Sequence, residues 1–225
     1  MKPDKKMINY FKKWEGMGTL GIGLLGVGFL LLWLGMSYFS YILSMLSILL
    51  GLAAFLYGNI GRGNATQVDD TIKRHWESIR FPELEEDASL RKRTPKNAEE
   101  LTFEGFEMRN GLYFKKKKDA SVISSEYTCV KAIVLTDALY LKKCTFSLIS
   151  EEKSTQTVEI LFSDIRDIEV VRETLMVGHG EKPQFRVKTC HIVITHGDGE
   201  RILLPKQEDA YVEEYVQDLK KKFGI

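Results

Sequence analysis

Few residues in this sequence are of types that could do chemistry, and they are scattered. Lys115, Lys116, Lys117 and Lys118 form an unbroken cationic run in "FKKKKD". Each cation near an anionic leaflet contributes about 1 kcal/mol of attraction, so the run is a candidate contact for anionic lipid headgroups. The ordinary alternative is a solvated charge run. His179, His191 and His196, with Cys190, are the candidate metal ligands. His191 and Cys190 are neighbours on an expected strand and so face opposite sides. No pair has the C-x-x-C or H-x-x-x-H spacing, so the expectation is that no metal is bound. "GHG" and "HGDG" are glycine turns, not phosphate loops, because no Gly-Lys-Ser or Gly-Lys-Thr follows. Ser163, Asp164 and the histidines form no nucleophile–base set. The expectation is that the chain is not an enzyme and holds no cofactor.

The elements that must hold these residues follow from an uneven distribution of charge. The chain has 225 residues and a net charge of +1, which gives no whole-chain field for nucleic acid. Yet no charged residue lies between Met17 and Asn59. That window is about twice the ~20 residues that cross a bilayer as a helix. It divides near Gly35–Met36–Ser37 into two expected spans, 17–34 and 38–58, after a basic N-terminal segment, 1–16. A signal peptide fits poorly: the apolar run is too long and no small-residue cleavage pattern closes its first half. Lys2, Lys5, Lys6, Lys12 and Lys13 precede the first span, and Arg62, Lys73 and Arg74 follow the second. The positive-inside rule then places both termini in the cytoplasm. Tyr10, Trp14, Trp33, Tyr38, Tyr41 and Tyr57 stand where amphipathic rings prefer to lie, at the interfaces. The spans contain no Asp, Glu, Lys, Arg or His, which argues against a transporter or channel. Three cysteines, an odd number without metal spacing, point to free thiols in a reducing compartment.

The second span carries small residues at Ser37, Ser40, Ser44, Ser47, Gly51, Ala54 and Gly58, in alternating steps of three and four. Gly21, Gly28 and Gly35 in the first span repeat every seven. Lipid is as apolar as leucine, so helices within it associate through close packing and interhelical hydrogen bonds, which small residues permit. A seven-residue repeat keeps such a seam in register along a left-handed crossing. The economical reading is that the two spans pack on each other. Self-association of the second span into a homo-oligomer is the alternative, with Gly18, Gly23 and Gly26 on other faces of the first.

Residues 59–100 read as a connector. Within it, Val68, Ile72, Trp76 and Ile79 fall at helical spacing over about 66–80, with Asp69 and Asp70 placed in the first turn. This stripe is suited equally to the bilayer surface and to the following domain. "PELEEDASLRKRTPKNAEE" reads as a polar linker. From Leu101 the pattern becomes short β-rich runs separated by turn signals such as "RNG", "TDA" and "HGDG". The final segment turns helical, with Val212, Tyr215, Val216, Leu219 and Phe223 on one face and Gly224 at its end.

The run "VLTDALYLKK", then "LFSDIRDIEVV", then "RILLPKQEDAYVEEYVQDLKK" resembles the bacterial pleckstrin-homology-like and GRAM-like families. The resemblance rests on Leu135, Thr136, Leu139, Tyr140, Phe162, Asp164, Ile165 and Ile168 and covers residues 101–225. It implies a seven-stranded barrel closed by a helix, a binding role often exercised at membranes, and a bacterial plasma-membrane setting. The expected protein is thus α+β: a two-helix transmembrane hairpin followed by a pleckstrin-homology-like antiparallel β-barrel capped by a C-terminal α-helix. Because the spans already anchor the chain, the domain needs no lipid affinity to reach the membrane. The expected function is an adaptor or scaffold for a protein partner, with anionic-lipid sensing through Lys115–Lys118 as the alternative.

Overall fold

The computed structural model describes residues 5–12, 16–34, 38–61, 63–117, 119–179, 184–197, 199–207 and 210–225. Gly35, Ser37 and Lys118, all named above, lie outside the described residues. The chain forms two compact units that divide between Gln67 and Val68.

The first unit is helical. Helix α1 (Lys5–Lys12) is followed by α2 (Gly16–Leu34) and α3 (Tyr38–Asn59). Both α2 and α3 are long and apolar enough to cross a membrane, and only 11% and 17% of their most apolar windows is buried. A core helix of a water-soluble domain would bury most of its surface, whereas these two leave Leu, Ile and Phe side chains exposed along their length. Among the described residues, Trp33 near the end of α2 and Tyr38 at the start of α3 are the most exposed aromatic rings. Tyr10 is instead buried, edge-on to Phe11 at 5.3 Å. Asn9 Nδ2 donates to Gly61 O (2.9 Å) and Gly63 N to Lys6 O (3.0 Å), which ties α1 to the turn after α3.

Helix α4 (Ala65–Glu77) opens with a capping box. Gln67 N donates to Asn64 Oδ1 (2.9 Å), and Asn64 N donates to Gln67 Oε1 (3.3 Å). Because α4 begins this early, Asp69 and Asp70 fall in its second turn, not its first.

Among its described residues, the second unit contains the rest of α4, two short helices, nine strands and a terminal helix. The helices are α5 (Pro82–Glu86) and α6 (Ala88–Arg93). The strands are β1 (Glu100–Phe106), β2 (Phe114–Lys116), β3 (Val122–Ser124), β4 (Glu126–Val134) and β5 (Ala138–Ser147). They continue with β6 (Lys153–Leu161), β7 (Ile165–Val177), β8 (Phe185–His196) and β9 (Glu200–Pro205), before helix α7 (Val212–Phe223). Among the described residues all ladders are antiparallel: a four-stranded sheet in the order β1-β4-β5-β6, a three-stranded sheet β7-β8-β9, and a hairpin β2-β3 inserted between β1 and β4. One face of each larger sheet turns inward. Phe103, Val130, Leu141, Ile160, Ile192 and Leu204 meet there, and α7 adds Val216, Leu219 and Phe223. Gly224, at φ +76°, ends α7 in the left-handed conformation that glycine adopts without strain.

The other face of β4 and β5 is covered by the helices that precede the strands. His75 of α4 stacks on Phe146 with ring centroids 4.1 Å apart. Lys131 Nζ lies 4.7 Å from the Trp76 ring, and Lys142 Nζ donates to Arg80 O (2.8 Å) and Glu83 Oε1 (2.8 Å). The amphipathic stripe thus has a protein face beneath it. The segment read as a linker is ordered for the same reason. Asp87 caps α6 by accepting from Ser89 N (2.7 Å). Leu90, with Phe81 and Leu84, packs on Ile133, Leu135 and Tyr140. Arg93 then reaches Asp137 and Glu159, each at 2.7 Å.

Two predictions arise from these contacts. Ala120, at the tip of the β2–β3 hairpin, has φ +67°, a left-handed conformation costly for a residue with a Cβ. Ala120→Gly should therefore raise unfolding stability by about 1 kcal/mol, read as a shifted denaturation midpoint; an unchanged midpoint contradicts the strain. The second concerns acid. Hydrogen bonds from Lys220, Lys142 and Arg93 hold the Asp167, Glu83 and Asp137 carboxyls below their ordinary values. Depressed folded values stabilise above the unfolded carboxylate range, about pH 4, and that contribution is lost as pH falls through the folded values. Melting temperature should hold from pH 7 to about 5 and drop below about 4. Asp167→Asn should shallow the drop, and an identical acid limb in that variant would refute its part.

Candidate functional site

The described residues of the lysine run do not form one cationic surface. Strand alternation divides them: Lys115 is buried and Lys116 exposed. Lys117 Nζ is 3.7 Å from Asp69 of α4, which neutralises part of its charge. The histidines are also apart in role. His179 stacks on Tyr113 (3.9 Å) with Nδ1 at 3.1 Å from Gly111 O, and His196 Nε2 lies 3.8 Å from Glu200. His191 is half-buried, which lowers its pKa and keeps the imidazole neutral at pH 7. Among the described residues no three His, Cys, Asp or Glu side chains are placed to hold a metal. Cys129 and Cys144 face each other across β4 and β5, both buried. Burial, with Glu104 nearby, pushes the Cys129 thiol up to about 12, so it stays protonated and unreactive.

In the helical unit, small residues bring two backbones together. Ser44 Oγ donates to Gly28 O (2.6 Å), Ser47 Oγ to Leu24 O (2.8 Å) and Ser40 Oγ to Leu31 O (3.3 Å). A Cβ on Gly21 would sit 2.5 Å from Phe55 N, one on Gly51 2.8 Å from Leu25 N, and one on Gly58 2.6 Å from Gly18 N. Gly28 meets Ile48, and Ala54 is half-buried beside this line. Gly23 and Gly26 face open space. The serines thus satisfy their own hydroxyls without water, as a lipid-embedded pair requires.

The second unit presents a different kind of site, built from where the ladders stop. Lys206 N donates to Cys190 O (3.1 Å), so in this antiparallel ladder the amides of even-numbered β8 residues point away from β7. Strand β9 ends at Pro205, opposite His191. The next outward-pointing amides, of Lys188 and Arg186, therefore have no ladder partner among the described residues. On β1, Val134 N donates to Glu99 O and Glu107 N to Glu126 O, which turns the odd-numbered amides toward β4. Thr102, Glu104 and Phe106 then offer theirs to the opposite edge. Between these two edges runs a cleft of about 570 Å³, bounded at one end by Ser121 and Val122 of the inserted hairpin. Arg186 and Lys188 stand exposed along it.

Compared with known proteins, the chain matches no family model, no curated protein and no solved structure. The geometry is therefore what bears on function. Sequence reasoning missed this cleft. The available signal was the unequal length of the β-rich runs around "QFRVKTCHIVITH" and "RILLP", which leaves half of the longer strand without a neighbour on one side.

Proposed function

We propose that this chain is a membrane-tethered binding module. Helices α2 and α3 span a bacterial plasma membrane, both termini face the cytoplasm, and the β domain holds a protein partner there without catalysing a reaction. The low burial of both helices and the cations on either side of the pair support the membrane assignment. A four-stranded meander, a three-stranded meander and a C-terminal helix are the parts that the pleckstrin-homology resemblance implies, and the β domain is read as that barrel. The hairpin β2–β3 is then an insertion between its first two barrel strands.

The observation that carries the binding role is the cleft between two unpaired strand edges. Unpaired edges invite a further strand, and proteins ordinarily cover or blunt them. An extended segment of a partner can hydrogen-bond along such an edge. Arg186 and Lys188 favour a segment with acidic side chains. The lysine run supports the lipid alternative less well, since Lys115 is buried and Asp69 neutralises part of the Lys117 charge.

The test is site-specific photocrosslinking in intact cells, with a benzophenone amino acid at Thr189 or Ser121 in the cleft and at Ser154 on β6 as control. Discrete protein adducts are expected from the two cleft positions and not from Ser154. Lys188→Pro removes one edge N–H without touching the β7 ladder and should abolish them. Adducts indifferent to that change, or arising equally from Ser154, would refute the reading.

A further inference from the structure

The edge of β8 that borders the strand-edge cleft carries side chains in a fixed order. Lys206 N donates to Cys190 O (3.1 Å), which makes Cys190 and Lys206 the last bonded pair of the β8–β9 ladder. A partner strand that continues the line of β9 meets Lys188 next, and Arg186 two residues further on. These two side chains share one face of β8, about 6.8 Å apart along the strand. Val187, between them, is buried and faces the other way.

The charges along this edge are unbalanced. On the β7 side, Lys188 stands opposite Thr174 and Arg186 opposite Met176, both uncharged. Both cations are exposed, and among the described residues neither side chain makes an ion pair or a hydrogen bond. The cleft lining adds a third cation, Lys206, whose Nζ lies 5.0 Å from the Tyr215 ring, and one carboxylate, Glu104. Glu104 alternates with Leu101 and Phe103, so it stands on the face of β1 turned away from the core. Arg186 and Lys188 continue the other kind of face, the core side of β8 that carries Ile192 and Ile194. His191 also lines the cleft, and burial keeps its imidazole neutral at pH 7. Three cations thus face one carboxylate, and that carboxylate looks away from the side on which Arg186 and Lys188 stand.

Opposite charges directly across an antiparallel pair attract, and like charges repel. A strand suited to this edge therefore carries one acidic side chain opposite Lys188 and a second opposite Arg186. The residue between them meets Val187, beside Val122 of the inserted hairpin, and is apolar. Resting on the strand-pairing reading of the cleft, we propose that it selects an extended partner segment of the pattern acidic–apolar–acidic, paired antiparallel with β8. Two acidic residues placed side by side do not satisfy the edge, because neighbours in a strand point to opposite faces.

The experiment uses the full chain in nanodiscs of zwitterionic lipid, which has no net charge to collect peptides. Three capped pentapeptides carry a benzophenone at the N-terminus. They are Thr-Glu-Val-Glu-Thr, its rearrangement Thr-Glu-Glu-Val-Thr, and Thr-Lys-Val-Lys-Thr. After photolysis, labelled residues are mapped by mass spectrometry. The alternating acidic peptide should label segments 120–122 and 186–191 about tenfold more than either of the others, the combined scale of two cross-strand charge pairs. In the double variant Arg186→Glu, Lys188→Glu the preference should pass to the lysine peptide. Equal labelling by the two acidic peptides, no label on these segments, or a preference unchanged in the double variant would overturn the proposal. If that variant melts early, the contrast between the two acidic peptides decides alone. A fourth peptide, the alternating one N-methylated at both glutamates, lacks the N–H groups that bond Lys188 O and Arg186 O and should lose its label. Label that survives methylation sinks strand pairing itself and the pattern with it. Label lost on methylation but indifferent to alternation sinks the pattern alone.

Discussion

Gly21→Leu will separate α2 from α3, and Gly23→Leu will not. At Gly21 the new Cβ would meet three backbone atoms, Phe55 N at 2.5 Å, Gly51 O at 2.7 Å and Phe55 Cα at 2.8 Å. None of them can rotate aside as a side chain would. Overpacking of this kind costs about 1–3 kcal/mol even where neighbours can yield, and a leucine adds three carbons beyond the Cβ. Separation also strips Ser44 and Ser47 of their acceptors, Gly28 O and Leu24 O. Gly23, two residues away, has nothing within 4 Å. The measurement is disulfide formation between Leu24→Cys and Ser47→Cys, chosen because Ser47 Oγ already lies 2.8 Å from Leu24 O. Crosslinking should persist in the Gly23→Leu background and collapse in Gly21→Leu. Equal crosslinking in both would mean that the helices do not meet along this line. A change in oligomeric state with Gly23→Leu would assign the open glycine face to self-association.

The second large effect is expected at Phe146. Its ring is buried under His75 of α4 and packs near Tyr127 at 5.9 Å. Phe146→Ala removes both contacts and leaves a cavity between helix and sheet, at a cost of about 3–5 kcal/mol. The loss should be local as well as global, because the Phe146 ring is the surface on which α4 stacks, beside the contact of Trp76 with Lys131. Limited trypsin digestion should then cut at Lys73, Arg74 and Arg80 well before the strands are attacked. Phe103→Ala, in the core between the sheets, should lower stability comparably without opening those sites first. If both variants are cut in the same order, α4 does not unlatch independently.

These contrasts mark how far the sequence could be read. The two apolar helices are legible because hydropathy is a local property. The repeat of Ser44, Ser47, Gly51 and Gly58 fixes a helix face, since a period of seven needs no knowledge of the partner. Where α4 lies was not legible in the same way. Val68, Ile72 and Trp76 suit lipid and protein equally, and the deciding feature is the stacking surface that Phe146 offers from seventy residues away. The stretch from Phe81 to Arg93 reads as polar because Phe81, Leu84 and Leu90 are its only large apolar side chains; it is ordered by the surface that β4 and β5 present. Strand β3 has three residues, too few for alternation to show. Lys115 could have been anticipated: four successive lysines entering a strand cannot all point to one side. The strand-edge cleft depends on ladder lengths and on the gap between sheets, and neither is a property of any one segment.

The cover that α4, α5 and α6 place over β4 and β5 has a practical corollary. A soluble fragment begun at Leu101, where the strands start, would lay bare Phe146, Tyr140, Ile133 and Leu135 together. A contiguous greasy patch of that kind favours clumping and indiscriminate adhesion to vesicles. Lipid binding measured on such a fragment would report the amputation, not the protein. A fragment carrying residues 68–225, the compact unit, keeps that surface shut.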